Sequence, residues 1–198
     1  MNLAEYTQAA IRTESRIDHV TVDVYKLTVV ANLFIHAGNL LDMIKKNAFY
    51  GKPINTEAWN YHVSSISSLS GTEHATLEAT QTDLRTCDLL PVDPRVFHGI
   101  VGMATESTEL VEALMCSVSG IGNIDTVNIG EEVADTMWYA AILTDATSLD
   151  WEQLLETNIA KLKKRYPEKF TSVDAINRDL VAERKILEGL PAIETPHQ

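Results

Sequence analysis

Phe97-His98-Gly99-Ile100-Val101-Gly102-Met103-Ala104-Thr105-Glu106-Ser107-Thr108-Glu109-Leu110-Val111-Glu112-Ala113-Leu114 is the stretch that decides the fold class. At about 100° per residue, the face centred on Glu106 also holds Gly99, Gly102, Met103, Leu110 and Ala113, a core-facing helical stripe. The next segment repeats the pattern, with Ile129, Asp135, Thr136, Tyr139, Leu143 and Ala146 on the face of Glu132. Elsewhere glycine and proline are scarce and apolar residues recur at three- and four-residue spacing, so the chain reads as all-α, a helical bundle. Helices are expected over 2–14, 23–47, 56–70, 73–84, 94–118, 127–147, 150–165 and 173–188. Thr56 with Glu57 and Asp150 with Glu152 mark starts, while Gly51, Pro53, Pro91, Gly120, Gly122 and Pro167 mark breaks. One domain over 1–190 is expected, with 23–90 an N-terminal helical extension, 94–188 the helices of the candidate site and 191–198 a loose tail.

The 198 residues suffice for a sizeable core. A formal charge of −12 argues against nucleic acid as the partner, because a phosphate backbone needs a basic stripe. A polyanionic substrate must then be met by bound metal or clustered Lys and Arg. No basic segment leads into an apolar one at the N-terminus, and unbroken apolar runs such as Met137 to Leu143 fall well short of the ~18 residues of a span, so no membrane partner is expected and the cytoplasm is. Cys87 and Cys116 form neither a disulfide framework nor a zinc motif and read as buried or idle thiols.

The chemistry lies in two carboxylate pairs, Glu106 with Glu109 and Glu132 with Asp135, each at i and i+3 and each read as pointing inward. Glutamate pairs on helices usually form a solvated face; here the apolar flanks argue otherwise. Four carboxylates gathered in a core repel one another unless protonated or neutralised by a cation. All-oxygen ligation favours Mg²⁺, with Mn²⁺ as substitute; iron in a bundle favours Glu-x-x-His, a spacing found only at Glu194 and His197 in the tail.

On 150–165, Asn158, Lys161 and Arg165 share a face with Trp151, Leu154 and Leu162, whereas Lys163 and Lys164 point elsewhere. The first three are candidates to hold substrate phosphates; ion pairing within the protein is the competing role for Lys161 and Arg165. Lys45, Lys46 and Lys52 read equally as a solvated run. Trp138, Tyr139 and Tyr166 suit a core better than a base platform, and His98 suits packing better than ligation. No glycine-rich phosphate loop is present.

Residues 27–46 and 97–116 match at an offset of 70: Leu40-Leu41-Asp42-Met43-Ile44 aligns with Leu110-Val111-Glu112-Ala113-Leu114. Either an internal repeat or chance likeness between two amphipathic helices accounts for this. In the repeat, His36 and Asn39 stand where the second copy has Glu106 and Glu109, a substitution that removes oxygen ligands for a hard cation.

Glu106-x-x-Glu109, a 22-residue spacer and Glu132-x-x-Asp135 resemble the paired acidic motifs of the all-α, MazG-like nucleoside triphosphate pyrophosphohydrolases, particularly phage-type members. Asn128-Ile129-Gly130-Glu131-Glu132-Val133-Ala134-Asp135-Thr136-Met137-Trp138-Tyr139 resembles their second motif. Asn158 to Pro167, Asn177-Arg178-Asp179, Glu5-Tyr6 and Arg12-Thr13-Glu14 extend the likeness. Two departures stand out: Thr105 occupies the place of a second acid, and Lys45 to Pro53, which resembles the segment after the first acidic helix, follows the His36 copy instead. The resemblance implies Mg²⁺ on Glu106, Glu109, Glu132 and Asp135, cleavage of a ribo- or deoxyribonucleoside triphosphate between the α and β phosphates, Glu106 or Glu109 as the base, and phosphate contacts from Asn158, Lys161 and Arg165. It also implies a homo-oligomer, dimer or tetramer, in the host cytoplasm if phage-encoded. A phosphoribosyl-ATP pyrophosphatase-like enzyme and a non-catalytic helical binding or scaffold protein are the alternatives.

Overall fold

The computed structural model describes residues 2–70 and 88–189. The expected helix over 73–84, Cys87, the tail 191–198 and the Glu194–His197 pair lie outside the described residues. Cys116 is exposed rather than buried.

Among the described residues the fold is all-α: α1 (Leu3–Ala10), α2 (Val24–Tyr50), α3 (Thr56–Ser70), α4 (Pro94–Val118), α5 (Thr126–Ala146), α6 (Trp151–Arg165), α7 (Ser172–Ile176) and α8 (Leu180–Glu188). A two-residue antiparallel pair, β1 (Thr21–Val22) with β2 (Asp88–Leu89), has Thr21 opposite Leu89 and Val22 opposite Asp88. These strands are too short for alternation in the sequence to signal them.

Local chemistry explains the helix ends. The carboxylates of Asp23, Asp93 and Asp125 accept from the first free backbone N–H groups of α2, α4 and α5, and the Asn55 side-chain Oδ1 accepts from Ala58 N in α3. Gly51 (φ 67°) and Gly120 (φ 69°) supply left-handed turns just beyond α2 and α4.

Two expected helices need correction. The first stops at Ala10, not 14, because Thr13 and Glu14 leave the helical path for partners elsewhere: Trp138 Nε1 donates to Thr13 Oγ1 at 2.9 Å, and Arg95 Nε to Glu14 at 2.6 Å. The span 173–188 is two helices, not one. Thr171 caps α7, and the chain leaves helical geometry at Asn177 (ψ 64°). Asp179 then accepts from Ala182 N to start α8.

By contacts, the chain divides into two compact units, each assembled from separated segments. One comprises 1–20, 91–158 and 188–198; the other 21–90 and 159–187. In the first, α4 and α5 form an antiparallel hairpin, and α1 packs on α5. Tyr6 donates to the Ala134 carbonyl (3.2 Å) and Trp151 Nε1 to Thr7 Oγ1 (3.0 Å). Thus α5 is covered by α1 as well as α4, and besides Glu132 its buried residues, Ala141, Ile142 and Thr144, lie off the face of Glu132. Arg95 bridges the fully buried Glu14 carboxylate and Asp145, both at 2.6 Å.

In the second unit, α2 packs on α3 and α7. The buried Glu183 accepts from Arg165 Nε (2.8 Å) and Nη2 (2.6 Å), and from Arg178 Nη2 (2.6 Å). Those hydrogen bonds, Arg165's above all, hold the Glu183 carboxyl at about 2, well below the usual range. Helix α2 buries Val29 and leaves Val30, Phe34, Ile35, Leu41 and Ile44 exposed. By length and composition α2 could cross a membrane. Asn32, His36 and Asn39 divide its sequence into short apolar runs.

The offset of 70 recurs in the architecture. Val24 and Pro94 open the long helices, each after a capping Asp; Thr56 and Thr126 open the partner helices, each after a capping Asn55 or Asp125. The two hairpins therefore share, at that offset, both helix starts and the capping positions before them.

Candidate metal centre

Glycine makes the site possible. A Cβ on Gly102 would lie 2.1 Å from Tyr139 Cδ1, and one on Gly99 2.9 Å from Leu143 Cβ. With hydrogen at both positions, α4 settles directly onto α5, and the Tyr139 ring fills the space over Gly102. His98 supports that ring edge-on, with centroids 5.3 Å apart, and meets Trp138 at 5.8 Å, a packing role for all three.

One turn beyond Gly102, the close approach brings Glu106 against Glu132. Oxygens of Glu106, Glu109 and Glu132 all lie within 4.8 Å of one another. Glu106 is 9% exposed and Glu132 5%, whereas Glu109 and Asp135 are exposed. The inward reading of both pairs thus holds for the first member of each only. A step of three residues turns 300°, which sets Glu109 and Asp135 about 60° off the seam, at its rim. Asp135 does not join the group of three, although its charge reaches Glu109, Tyr6 and Tyr139.

The electrostatics follow from this crowding. Burial chiefly, then a hydrogen bond shared with Glu132, raises the Glu106 carboxyl above its ordinary value, while the Thr105 hydroxyl, 3.2 Å from Oε1, opposes the rise. Glu109 is raised principally by the charge of Glu132. Asn128 Nδ2 donates to Glu132 Oε1 at 2.5 Å, fixing that carboxylate one helical turn from Asn128. Sequence reading gave Asn128 only as part of a motif; its i, i+4 spacing to Glu132 was the available signal.

Among the described residues no Lys or Arg is ion-paired with these acids. Protein cations do not neutralise the cluster, so it holds protons or takes an external cation. Oxygen donors alone at this spacing fit Mg²⁺ or Mn²⁺.

Asn158 belongs to the unit of the acids, while Lys161 and Arg165 belong by contacts to the other. Along α6, Trp151, Leu154, Asn158, Lys161, Leu162 and Arg165 are half-buried, as are Gln153 and Thr157 outside the expected face, while Lys163 and Lys164 are exposed. Arg165 spends Nε and Nη2 on Glu183. Lys45 and Lys46 both pair with Asp42. An open cleft lined by Leu3, Thr7, Thr144, Asp145 and Trp151 contains none of the four acids.

No protein family, curated protein or solved structure compared with this chain matches it.

Proposed function

We propose that the protein is a Mg²⁺-dependent nucleoside triphosphate pyrophosphohydrolase, releasing a nucleoside monophosphate and pyrophosphate. The observation that carries this reading is the convergence of Glu106, Glu109 and Glu132 at a tightly packed helix seam without compensating protein cations. The acidic motif order that resembles the MazG-like enzymes supplies the reaction class.

A bound Mg²⁺ contributes neutralisation of phosphate oxygens and activation of a water for in-line attack on the α phosphorus. Glu106 and Glu132 form the buried wall of the cage, with Glu132 held in place by Asn128. Glu109, at the exposed rim, is placed to receive a proton from solvent-side water, and Glu106 is the buried alternative. Asp135 completes the acidic rim. Asn158, Lys161 and Arg165 remain the proposed phosphate contacts; Arg165 acts through Nη1 if its pair with Glu183 persists. The apolar residues exposed on α2 support the proposed homo-oligomer, and a cytoplasmic setting is proposed with the phage-type resemblance.

The reading is tested by Glu109→Gln and Asp135→Asn, which remove metal-binding charge without core volume. Each is expected to abolish pyrophosphate release while leaving helical circular dichroism intact. Near-wild-type turnover with Mg²⁺ in both variants would refute the assignment.

A further inference from the structure

The offset that aligns the two hairpins places His36 at the position of Glu106 and His62 at that of Glu132. Just as the two glutamates meet across α4 and α5, the two histidines meet across α2 and α3: their Nδ1 atoms are 2.8 Å apart, and both rings are half-buried. Tyr61 packs edge-on against both, with centroids 5.7 Å from His36 and 5.2 Å from His62. The other two acids have become Asn39, whose Nδ2 donates to the Ile35 carbonyl, and Ser65, whose hydroxyl donates to the Tyr61 carbonyl. This position has thus exchanged all four carboxylates for a pair of imidazoles and neutral side chains.

We propose that the α2–α3 hairpin carries its own cation site, with His36 and His62 as ligands, for a nitrogen-preferring divalent transition ion of the Ni²⁺ or Cu²⁺ type. With no carboxylate present, Mg²⁺ lacks the charged oxygens it requires, whereas imidazole suits the late first-row ions, whose affinities rise towards Cu²⁺. Metal–nitrogen bonds of about 2.0 Å at the right angle of a square-planar or tetragonal ion put two nitrogens about 2.8 Å apart, and a tetrahedral Zn²⁺ about 3.3 Å, so two imidazoles already in hydrogen-bond contact at 2.8 Å need to separate less for the former.

In the metal-free pair one ring donates Nδ1–H and the other accepts, so the rings hold opposite tautomers. On binding, the shared proton leaves Nδ1 and, through solvent, a proton enters Nε2 of the same ring. Both Nδ1 lone pairs are then available with no net change in protons. Each ring turns by about 45° to aim its lone pair at the ion instead of at its neighbour, and water completes the coordination.

The test uses the full chain in the Glu106→Gln background with excess Mg²⁺, so that binding at the acidic cage is suppressed. Calorimetric titration with NiCl₂ should reveal one site per chain, weakened at least tenfold by His36→Gln and equally by His62→Gln, because either change destroys the chelate. Circular dichroism checks that both variants fold. Electron paramagnetic resonance of the Cu²⁺-loaded protein with both histidines intact gives an independent readout and should show two equivalent nitrogen ligands. No Ni²⁺ or Cu²⁺ binding at 100 μM, affinity unchanged in either histidine variant, or a Cu²⁺ spectrum without nitrogen coupling would each overturn the proposal.

Discussion

Gly102→Ala isolates the geometric premise of the acidic centre. In an unconstrained helix the change stabilises by about 1 kcal/mol, because alanine loses less backbone entropy than glycine. Here the new methyl would stand 2.1 Å from Tyr139 Cδ1. Carbon atoms settle at about 3.5 Å, so the ring or the α4 backbone must retreat by about 1.4 Å. Overpacking of this kind costs about 1–3 kcal/mol, and the ring is braced by His98 and Trp138. Strain offsets or outweighs propensity, giving a net loss of up to about 2 kcal/mol instead of a gain. The same retreat opens the α4–α5 seam one turn from Glu106, so hydrolysis should fall by at least tenfold, as displacements of about 1 Å in a catalytic site do. Gly130→Ala is the control: Gly130 is likewise helical, in α5 instead of α4, but nothing lies within 4 Å of its added methyl, and the change should stabilise by up to about 1 kcal/mol. Urea unfolding followed by tryptophan fluorescence, with Mg²⁺-dependent pyrophosphate release measured in parallel, reads both effects. Equal stabilisation by the two alanines, with turnover unchanged, would refute the close-packing argument.

Arg95→Met leaves the buried Glu14 carboxylate with Arg16 Nε, 3.2 Å away, as its remaining cation and should cost about 3 kcal/mol in denaturant unfolding, whereas a cost below about 1 kcal/mol would show that Arg16 or water compensates. Glu183 has a depressed folded value of about 2, so its contribution of about 3 kcal/mol is present above the ordinary carboxylate value and lost as pH falls from about 4.3 towards 2; Glu183→Gln should flatten that part of the stability–pH profile. Glu132→Gln removes like charge from Glu106 and Glu109, so thermal stability without metal should rise or hold while the stabilisation by added Mg²⁺ disappears, as differential scanning calorimetry can show. Sedimentation at micromolar concentration should find a dimer or tetramer, and a monodisperse monomer would count against the proposed assembly.

Much of the fold was legible because its determinants are local. Helix periodicity located α4 over its full span, and the Asp and Asn caps sit where short polar side chains meet orphan N–H groups. The ends of α1 and the break before α8 were not legible, because they depend on Trp138, Arg95 and the twin arginines on Glu183, all distant in sequence or governed by cap competition. Within the acidic motifs, spacing identified shared faces but not depth. Which member of each pair is buried depends on the angle at which α4 meets α5, set by Tyr139 over Gly102. The repeat was visible in α2 and α4 alone; helix starts and the His36–His62 contact extended it to α3 and α5, where little side-chain identity survives.

The central claim is most directly tested by incubating the protein with Mg²⁺ and a panel of ribo- and deoxyribonucleoside triphosphates and identifying the products by phosphorus NMR. At least one substrate should yield monophosphate and pyrophosphate in equal amounts, and Glu106→Gln should abolish both by lowering kcat itself. Release of orthophosphate and diphosphate, or no hydrolysis across the panel, would contradict the account.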